Sequence, residues 1–300
     1  MMDTLGSIVP VPSIGNLEQV SDAQLARYGE LIYQKTGIRI SPQKKMLLSN
    51  RLRRRLRETG IPDFEAYYRH LKGLPAGHSE WNAFLQEITT HETYLFRDET
   101  QWRWFRREYL PKVAAEVQAG RRPRSLRIWS AACSTGDEVY TIACCIAGGL
   151  LNYQQWNITI LGTDIGAGAI EQARAGVFGE RAMRLVREED RRRFFIKAKD
   201  AAIWQASPAL RAMTSFRQHN LLEPLRLPPF DMVFLKNVLI YFDASSKKRV
   251  LENIRAEIKP GGMLLTGAAE GVSEFLRDFE RLNPWLYRRP VSSRVMEVRR

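Results

Sequence analysis

Beyond Gly120 the chain turns from helical periodicity to short β-rich runs that alternate with helical stretches, and this alternation restricts the fold more than any other feature. The runs expected as strands are 126–131, 158–163, 213–216, 231–235 and 263–266, and the helices between them are expected to begin near Asp137, Ala167 and Ser245. Consecutive strands joined through helices run parallel, because a tight turn returns a strand only antiparallel. The pattern therefore gives an α/β fold, a mostly parallel sheet covered by helices. One connection does not fit. The segment 176–212 is too long for a simple link, is rich in Arg and Lys, and holds Trp204 and Pro208 near its end, so it reads as an inserted subdomain.

Ahead of the switch the signals are helical. Ser21 followed by Gln24 fits a capping box in a helical domain over 17–90. Ser41, Pro42 and Gly60 fit the N-cap, first-turn proline and C-terminal glycine of one helix, on which Leu48, Leu52 and Leu56 recur every four residues. Arg51, Arg53, Arg54, Arg55 and Arg57 flank that stripe. Two readings stand for them: a solvated basic face on a packed helix, or a docking face for an acidic helix of a partner. A further helix is expected over 99–119, with Trp102, Phe105, Tyr109, Val113 and Val117 on its apolar side, inside a linking segment 91–124. The α/β domain then occupies 125–300, and 1–16 reads as a flexible tail.

Composition narrows the class. With 300 residues, 44% of them hydrophobic, the chain can fill a globular core. Its first residues lack the basic start of a secretory signal. The longest nearly apolar run, 141–151, falls short of the roughly 18 residues a membrane span needs, so no membrane insertion is expected. Cys133, Cys144 and Cys145 are too few and too clustered for a disulfide framework, which points to the cytoplasm. His70, His78, His91 and His219 are scattered and none has zinc-ligand spacing with a cysteine, so no metal site is expected. The net charge of +13 asks for an anionic partner without choosing among nucleic acid, an anionic membrane surface and an acidic protein.

In an open α/β sheet a ligand sits beyond the carboxyl ends of the strands, where the first strand turns into its helix. That turn reads Ala131, Ala132, Cys133, Ser134, Thr135, Gly136, Asp137, Glu138. Its small residues let a ligand approach the backbone, but the glycine spacing of a dinucleotide site is missing. Two acids at a helix N-terminus repel a pyrophosphate and suit a cation. S-adenosylmethionine carries a sulfonium and an ammonium group. Glu138 is expected to pair with its amino-acid end while Asp137 caps the helix; the alternative is that both are only caps. Asp164 ends the second strand, placed to accept hydrogen bonds from ribose hydroxyls. The turn Lys259, Pro260, Gly261, Gly262 before the last strand completes the pattern of a methyltransferase.

Three runs carry a resemblance to a known family. They are Thr90, His91, Glu92, Thr93, Tyr94, Leu95, Phe96, Arg97, Asp98; the turn from Trp129 to Tyr140; and Asn237, Val238, Leu239, Ile240, Tyr241, Phe242, Asp243. In this order, over about 20–288, the chain resembles the CheR family of chemotaxis-receptor glutamate methyltransferases. The resemblance implies a Rossmann-like class I methyltransferase sheet with an N-terminal all-helical domain and a small inserted β-subdomain. It implies a pocket for S-adenosylmethionine lined by His91, Thr93, Arg97, Glu138, Asp164, Asn220, Leu221, Lys236 and Asn237. His91 stands where the family has Asn, and Val139 where it has Pro. Lys236 stands where Arg is usual, which keeps the charge and loses the planar fork.

The implied reaction moves a methyl group to a glutamate oxygen, giving a γ-methyl ester. A carboxylate is already a nucleophile, so the lack of a cysteine nucleophile or histidine base is consistent with it. Positioning then dominates. The resemblance implies that Arg97 orients the substrate carboxylate and Tyr241 hydrogen-bonds beside the methyl group; the alternatives are an ion pair of Arg97 with Asp98 or Glu92, and a wall position for Tyr241. The implied partners are the acidic methylation helices of methyl-accepting chemoreceptors, with Arg51, Arg54 and Arg55 as docking residues. The implied setting is a cytoplasmic monomer associated with receptor arrays. The insert resembles a subdomain that in some members grips a receptor tail peptide, but lacks the paired-glycine loop, so no strong tail dependence is expected. One rival is a nucleic-acid methyltransferase, suggested by the charge and opposed by the absence of paired prolines after Asn237. Another is a non-catalytic cofactor-binding regulator, suggested by His91 and Lys236.

Overall fold

The computed structural model describes residues 19–199 and 202–291, so the tail expected over 1–16 lies outside the described residues. The chain divides into two compact units, one containing 39–89 and the segment before 36, the other 36–38 and everything from 90 on.

The first unit is helical: α1 (Asp22–Thr36), α2 (Lys45–Thr59), α3 (Phe64–Gly73) and α4 (Ser79–Ile88). The capping box forms reciprocally, the Ser21 amide donating to Gln24 Oε1 at 2.9 Å and the Gln24 amide to Ser21 Oγ at 3.1 Å. Ser41 heads a single 3-10 turn, Pro42–Lys44, that leads into α2, and its side chain makes no cap bond. Gly60 closes α2 with φ at 70°, the left-handed conformation that favours glycine. Leu48, Leu52 and Leu56 are buried, as the four-residue spacing predicts, and so are Tyr28, Tyr67 and Phe84.

The second unit holds a seven-stranded sheet built from β1 (Ser125–Ala131), β2 (Asn157–Asp164), β6 (Thr214–Gln218), β7 (Phe230–Leu235), β8 (Ile258–Thr266), β9 (Glu280–Asn283) and β10 (Leu286–Arg288), in the order β6-β2-β1-β7-β8-β10-β9. All five expected strands form, and all pair parallel. Helices α7 (Asp137–Gly149), α8 (Ala167–Ala175) and α9 (Ala244–Glu257) begin within a residue of their expected starts. The closing antiparallel pair β9 and β10 had no sequence signal, because β9 is short and its residues lie at the surface. Between α8 and β6 the insert forms its own antiparallel sheet, β3 (Val177–Gly179), β5 (Ile203–Ala206) and β4 (Phe195–Lys197), with Trp204 buried beneath it.

The helix expected over 99–119 forms as α5 (Glu99–Trp104) and α6 (Leu110–Gln118), joined by a π-turn at Phe105–Tyr109. Pro111 explains the widening. It has no N–H for the Arg107 carbonyl and its ring crowds that oxygen, so the preceding turn loosens, and the Leu110 amide reaches Phe105 O. The helix packs into the core of the second unit. Trp102 stacks on Phe234 with centroids 5.4 Å apart, and Phe105 meets Phe234 edge-on. Burying Phe105 and Phe234 is worth about 1.5–3 kcal/mol each relative to exposure. Val117, expected on the apolar side, is only half-buried.

Candidate active site

Strand order locates the crevice before any side chain is considered. From β1 the chain adds β2 and then β6 on one side, and later adds β7 on the other, so the strand order reverses between β1 and β7. A ligand crevice opens at such a point, beyond the carboxyl ends of the strands. Backbone strain marks the same place. Seven non-glycine residues among those described have positive φ, and five of them, Phe96, Asp98, Ala132, Ser134 and Asn237, lie in the segments at this end of the sheet. Such conformations cost on the order of 1–3 kcal/mol each and persist where surrounding contacts enforce them.

The turn after β1 is held by Asp164. One carboxylate oxygen accepts the Ser134 amide at 2.8 Å, and the other accepts the Gly166 amide at 2.9 Å. Gly136 then turns at φ 89° as the N-cap of α7; a Cβ there would lie 2.8 Å from Ala173 Cβ. This corrects the expected role of Asp137 as a helix cap. With Gly136 in the cap position, Asp137 falls inside the first turn, accepts the Thr135 hydroxyl at 2.6 Å and is buried, which raises its pKa. His91 brings Nδ1 to 3.8 Å from Asp164, too long for a hydrogen bond.

A second cluster gathers on Lys236 at the end of β7. Its side chain is 3% exposed, and Nζ lies 3.1 Å from Asp98, 3.6 Å from Glu138 and 3.3 Å from the Arg97 carbonyl, over the Trp102 ring. Glu138 also accepts the Ser130 hydroxyl at 2.8 Å. Burial raises the Glu138 pKa, opposed by the charge of Lys236. The sequence offers Asp98 only as an ion-pair partner for Arg97. As the residue entering α5 with φ at 67° it makes no cap bond and turns its carboxylate to Lys236 instead.

Arg97 donates to the Glu92 carbonyl at 3.2 Å and lies over the Tyr94 ring at 5.8 Å. The ion-pair alternatives for it do not form: Asp98 is taken by Lys236 and Glu92 by Arg181, so the guanidinium pairs with no carboxylate among the described residues. Thr93 is half-buried on the same stretch. Asn220 and Leu221 follow β6, where the His219 amide is anchored on the Asp164 carbonyl at 2.8 Å; Asn220 Oδ1 accepts the Leu222 amide and Leu221 is buried. Asn237, at φ 57°, begins the turn that ends in a 3-10 segment, Leu239–Tyr241. Glu270 is a further buried acid at this turn, its Oε1 accepting the Val238 amide at 3.3 Å.

The docking residues belong to the helical unit, and there the expectation for Arg55 is corrected. Arg55 points inward, 7% exposed, and grips Glu80 with both Nε (3.0 Å) and a terminal nitrogen (2.7 Å) while also meeting Glu58. It falls on the inner face because it follows Leu48 by seven residues and Leu52 by three. Arg54 is exposed and pairs with Glu87 at 3.1 Å; Arg51 is half-buried and donates to the Ile88 carbonyl.

These residues fit S-adenosylmethionine. Two carboxylates beyond adjacent strands, Asp164 at the end of β2 and Glu138 in the first turn of α7, suit a cationic ligand with hydroxyls, and Asp164 keeps acceptor capacity beyond its two amide bonds. The buried Ser134 hydroxyl in the same turn has no hydrogen-bond partner among the described residues. No cluster of metal-ligating side chains is present among the described residues, and no helix among them is long and apolar enough to cross a membrane.

Residues 91–285 match the CheR methyltransferase SAM binding domain, and residues 23–89 match the CheR methyltransferase all-alpha domain. The chain is 35% identical over 264 residues to the chemotaxis protein methyltransferase of Klebsiella aerogenes, covering 87% of each chain. It is 32% identical over 273 residues to that of Salmonella typhimurium, covering 89% of this chain and 90% of the relative. It is likewise 32% identical over 265 residues to that of Escherichia coli K12, covering 87% and 88%. With the class I sheet and its strand-end carboxylates in place, the chain belongs to the CheR family of S-adenosylmethionine-dependent chemotaxis methyltransferases.

Proposed function

We propose that the acceptor is a glutamate side chain on a chemoreceptor methylation helix and the product a γ-methyl ester. The observation that supports this best is Arg97: both acids beside it in sequence are engaged by other cations, leaving its guanidinium to meet a carboxylate from outside. S-adenosylmethionine supplies, when bound, a methyl group made electrophilic by its sulfonium. Glu138 would hold its ammonium end and Asp164 its ribose hydroxyls, with His91, Thr93, Asn220, Leu221, Lys236 and Asn237 lining the pocket. Arg97 would orient the acceptor carboxylate and Tyr241 hydrogen-bond beside the transferred group.

No base is needed, because the attacking oxygen is already ionised. The reacting charges cancel as the ester forms, so alignment in a site that excludes water contributes most. A single Arg97 contact serves this better than a clamp that binds the ground-state carboxylate as strongly as the transition state. On the helical unit, exposed Arg54 and half-buried Arg51 would steer an acidic helix, an effect that weakens with salt. The protein would work as a monomer in the cytoplasm beside receptor arrays, without strong dependence on a receptor tail peptide.

The test is transfer of labelled methyl to receptor-rich membranes, scored as methanol released by mild base. Base-labile label that falls by about a hundredfold or more in Arg97→Ala supports the reading. Label that resists base, or that is lost on nuclease treatment, sinks it.

A further inference from the structure

We infer that Glu270 is a positioning residue for methyl transfer, holding from below the turn that carries Asn237 and Tyr241. The inference rests on the reading of Tyr241 as a group that acts on the transferred methyl.

Glu270 is 1% exposed, and no cation pairs with its carboxylate among the described residues. An acid buried without a counter-ion is costly and needs amide donors in the cation's place. Here the Val238 amide donates to Oε1 at 3.3 Å and the amides of Asn237, Leu239 and Ile240 also favour the ionised form, while Oε2 has no hydrogen-bond partner among the described residues. Burial raises the pKa of the group and the four amides work against that rise.

Those amides are the unsatisfied donors of a chain leaving β7 and entering a 3-10 turn, the position a side-chain cap normally fills from within the turn. The turn's own side chains do not fill it: no cap bond is made at Val238. The acceptor comes instead from a loop some thirty residues later. That loop is clamped against the turn, since a Cβ on Gly267 would lie 2.8 Å from Glu270 Oε1 and 3.2 Å from the Asn237 amide. On the Lys247 side, Nζ donates to the Glu270 carbonyl at 2.8 Å, fixing the main chain so the side chain can reach in. The carboxylate thus bonds the turn between Asn237, strained at φ 57°, and the 3-10 segment that ends at Tyr241.

The experiment is a double-mutant cycle on the full chain, with kcat for base-labile methyl transfer as the readout. Glu270→Gln keeps the shape but sets an NH2 group against backbone donors, and is expected to lower kcat about tenfold while the protein stays folded by circular dichroism. In a Tyr241→Phe background the same change should cost less than about twofold, because a turn whose terminal hydroxyl is gone has little left to misplace. Gly267→Ala, which presses on the same contact from the other side, should repeat the pattern even if Glu270→Gln folds poorly. Losses that multiply in the double variants, or a Glu270→Gln protein that melts earlier but keeps full kcat, would overturn the inference and show a purely structural acid. A Tyr241→Phe protein as active as the parent overturns instead the reading on which it rests, and the inference with it.

Discussion

The helical unit and the α/β unit each bury a carboxylate on a cation, and one pair is closed while the other is open. Arg55 and Glu80 meet through two hydrogen bonds, and the Tyr67 hydroxyl also donates to Glu80, so the two groups face each other at 8% and 11% side-chain exposure. Glu138 and Lys236 stand 3.6 Å apart, with Lys236 shared among Asp98, Glu138 and the Arg97 carbonyl. Partners buried against each other in this way present no face to a ligand, so the closed pair is scaffold. The open pair leaves Glu138 with acceptor positions to spare, which suits the role we propose for it at the ammonium end of the cofactor.

The closed pair should therefore give the largest effect, and only on stability. Glu80→Ala leaves buried Arg55 with only the largely exposed Glu58 to meet it, and should lower unfolding free energy by about 3 kcal/mol in urea titrations. Methyl transfer per folded molecule should not change. A cost below about 1 kcal/mol, typical of exposed pairs, would mean that the pair is not closed in solution.

Breaking the open pair should do the opposite. Lys236→Met removes the cation that joins Asp98, Glu138 and the Arg97 segment, and should reduce methyl transfer by about a hundredfold, equivalent to about 2.7 kcal/mol. Its stability loss should be smaller than that of Glu80→Ala, because Glu138 can take up a proton where Arg55 cannot lose one. Equal losses of stability in the two variants would erase the distinction.

The next effect is on pH. Burial raises the Glu138 pKa above the ordinary glutamate value, with Lys236 opposing and Asp98 reinforcing the shift. The ionised form that suits a cationic ligand is present above the raised value. Affinity for S-adenosylmethionine should then fall about tenfold per pH unit once the pH drops below it. Stability moves the other way: on raising the pH the unfolded chain ionises first, so Glu138 contributes a growing cost up to its folded pKa and a constant one above. Glu138→Gln should flatten the pH dependence of binding, measured by calorimetry from neutral pH down towards the ordinary glutamate value, and a slope that survives the substitution would assign it to another group.

The two pairs also show which parts of the molecule can be read from sequence. Parallel core strands announce themselves because both faces are covered; every residue of β7 is buried, and its apolar run has no other reading. The surface hairpin β9 and β10 has no such pattern. Glu138 stood out as an acid at the helix start after the small-residue turn, and Asp164 as an acid ending an apolar strand. Asp98 and Glu270 did not, because their partners, Lys236 and the turn after Asn237, come from distant parts of the chain and depend on the sheet having formed. Arg55 was legible in principle: its phase relative to Leu48 and Leu52 puts it on the apolar stripe, a signal hidden by the four arginines around it.

The smallest effect tests Lys236 itself, at a position where the resemblance leads to an expectation of Arg. Lys236 offers one compact ammonium to three oxygens at 3.1, 3.3 and 3.6 Å, and a guanidinium would spread its donors over the same acids in a planar fork. If the pair is open by geometry, Lys236→Arg should tighten it without changing its charge, and methyl transfer should stay within about threefold of the parent, close to the size of a single exposed charge contact. Glu138 then shares more of its oxygens with the protein, so any change should appear in the KM for S-adenosylmethionine and leave kcat alone. A loss approaching that of Lys236→Met would show that the crevice has been shaped around lysine, and that the looseness of this pair is itself required.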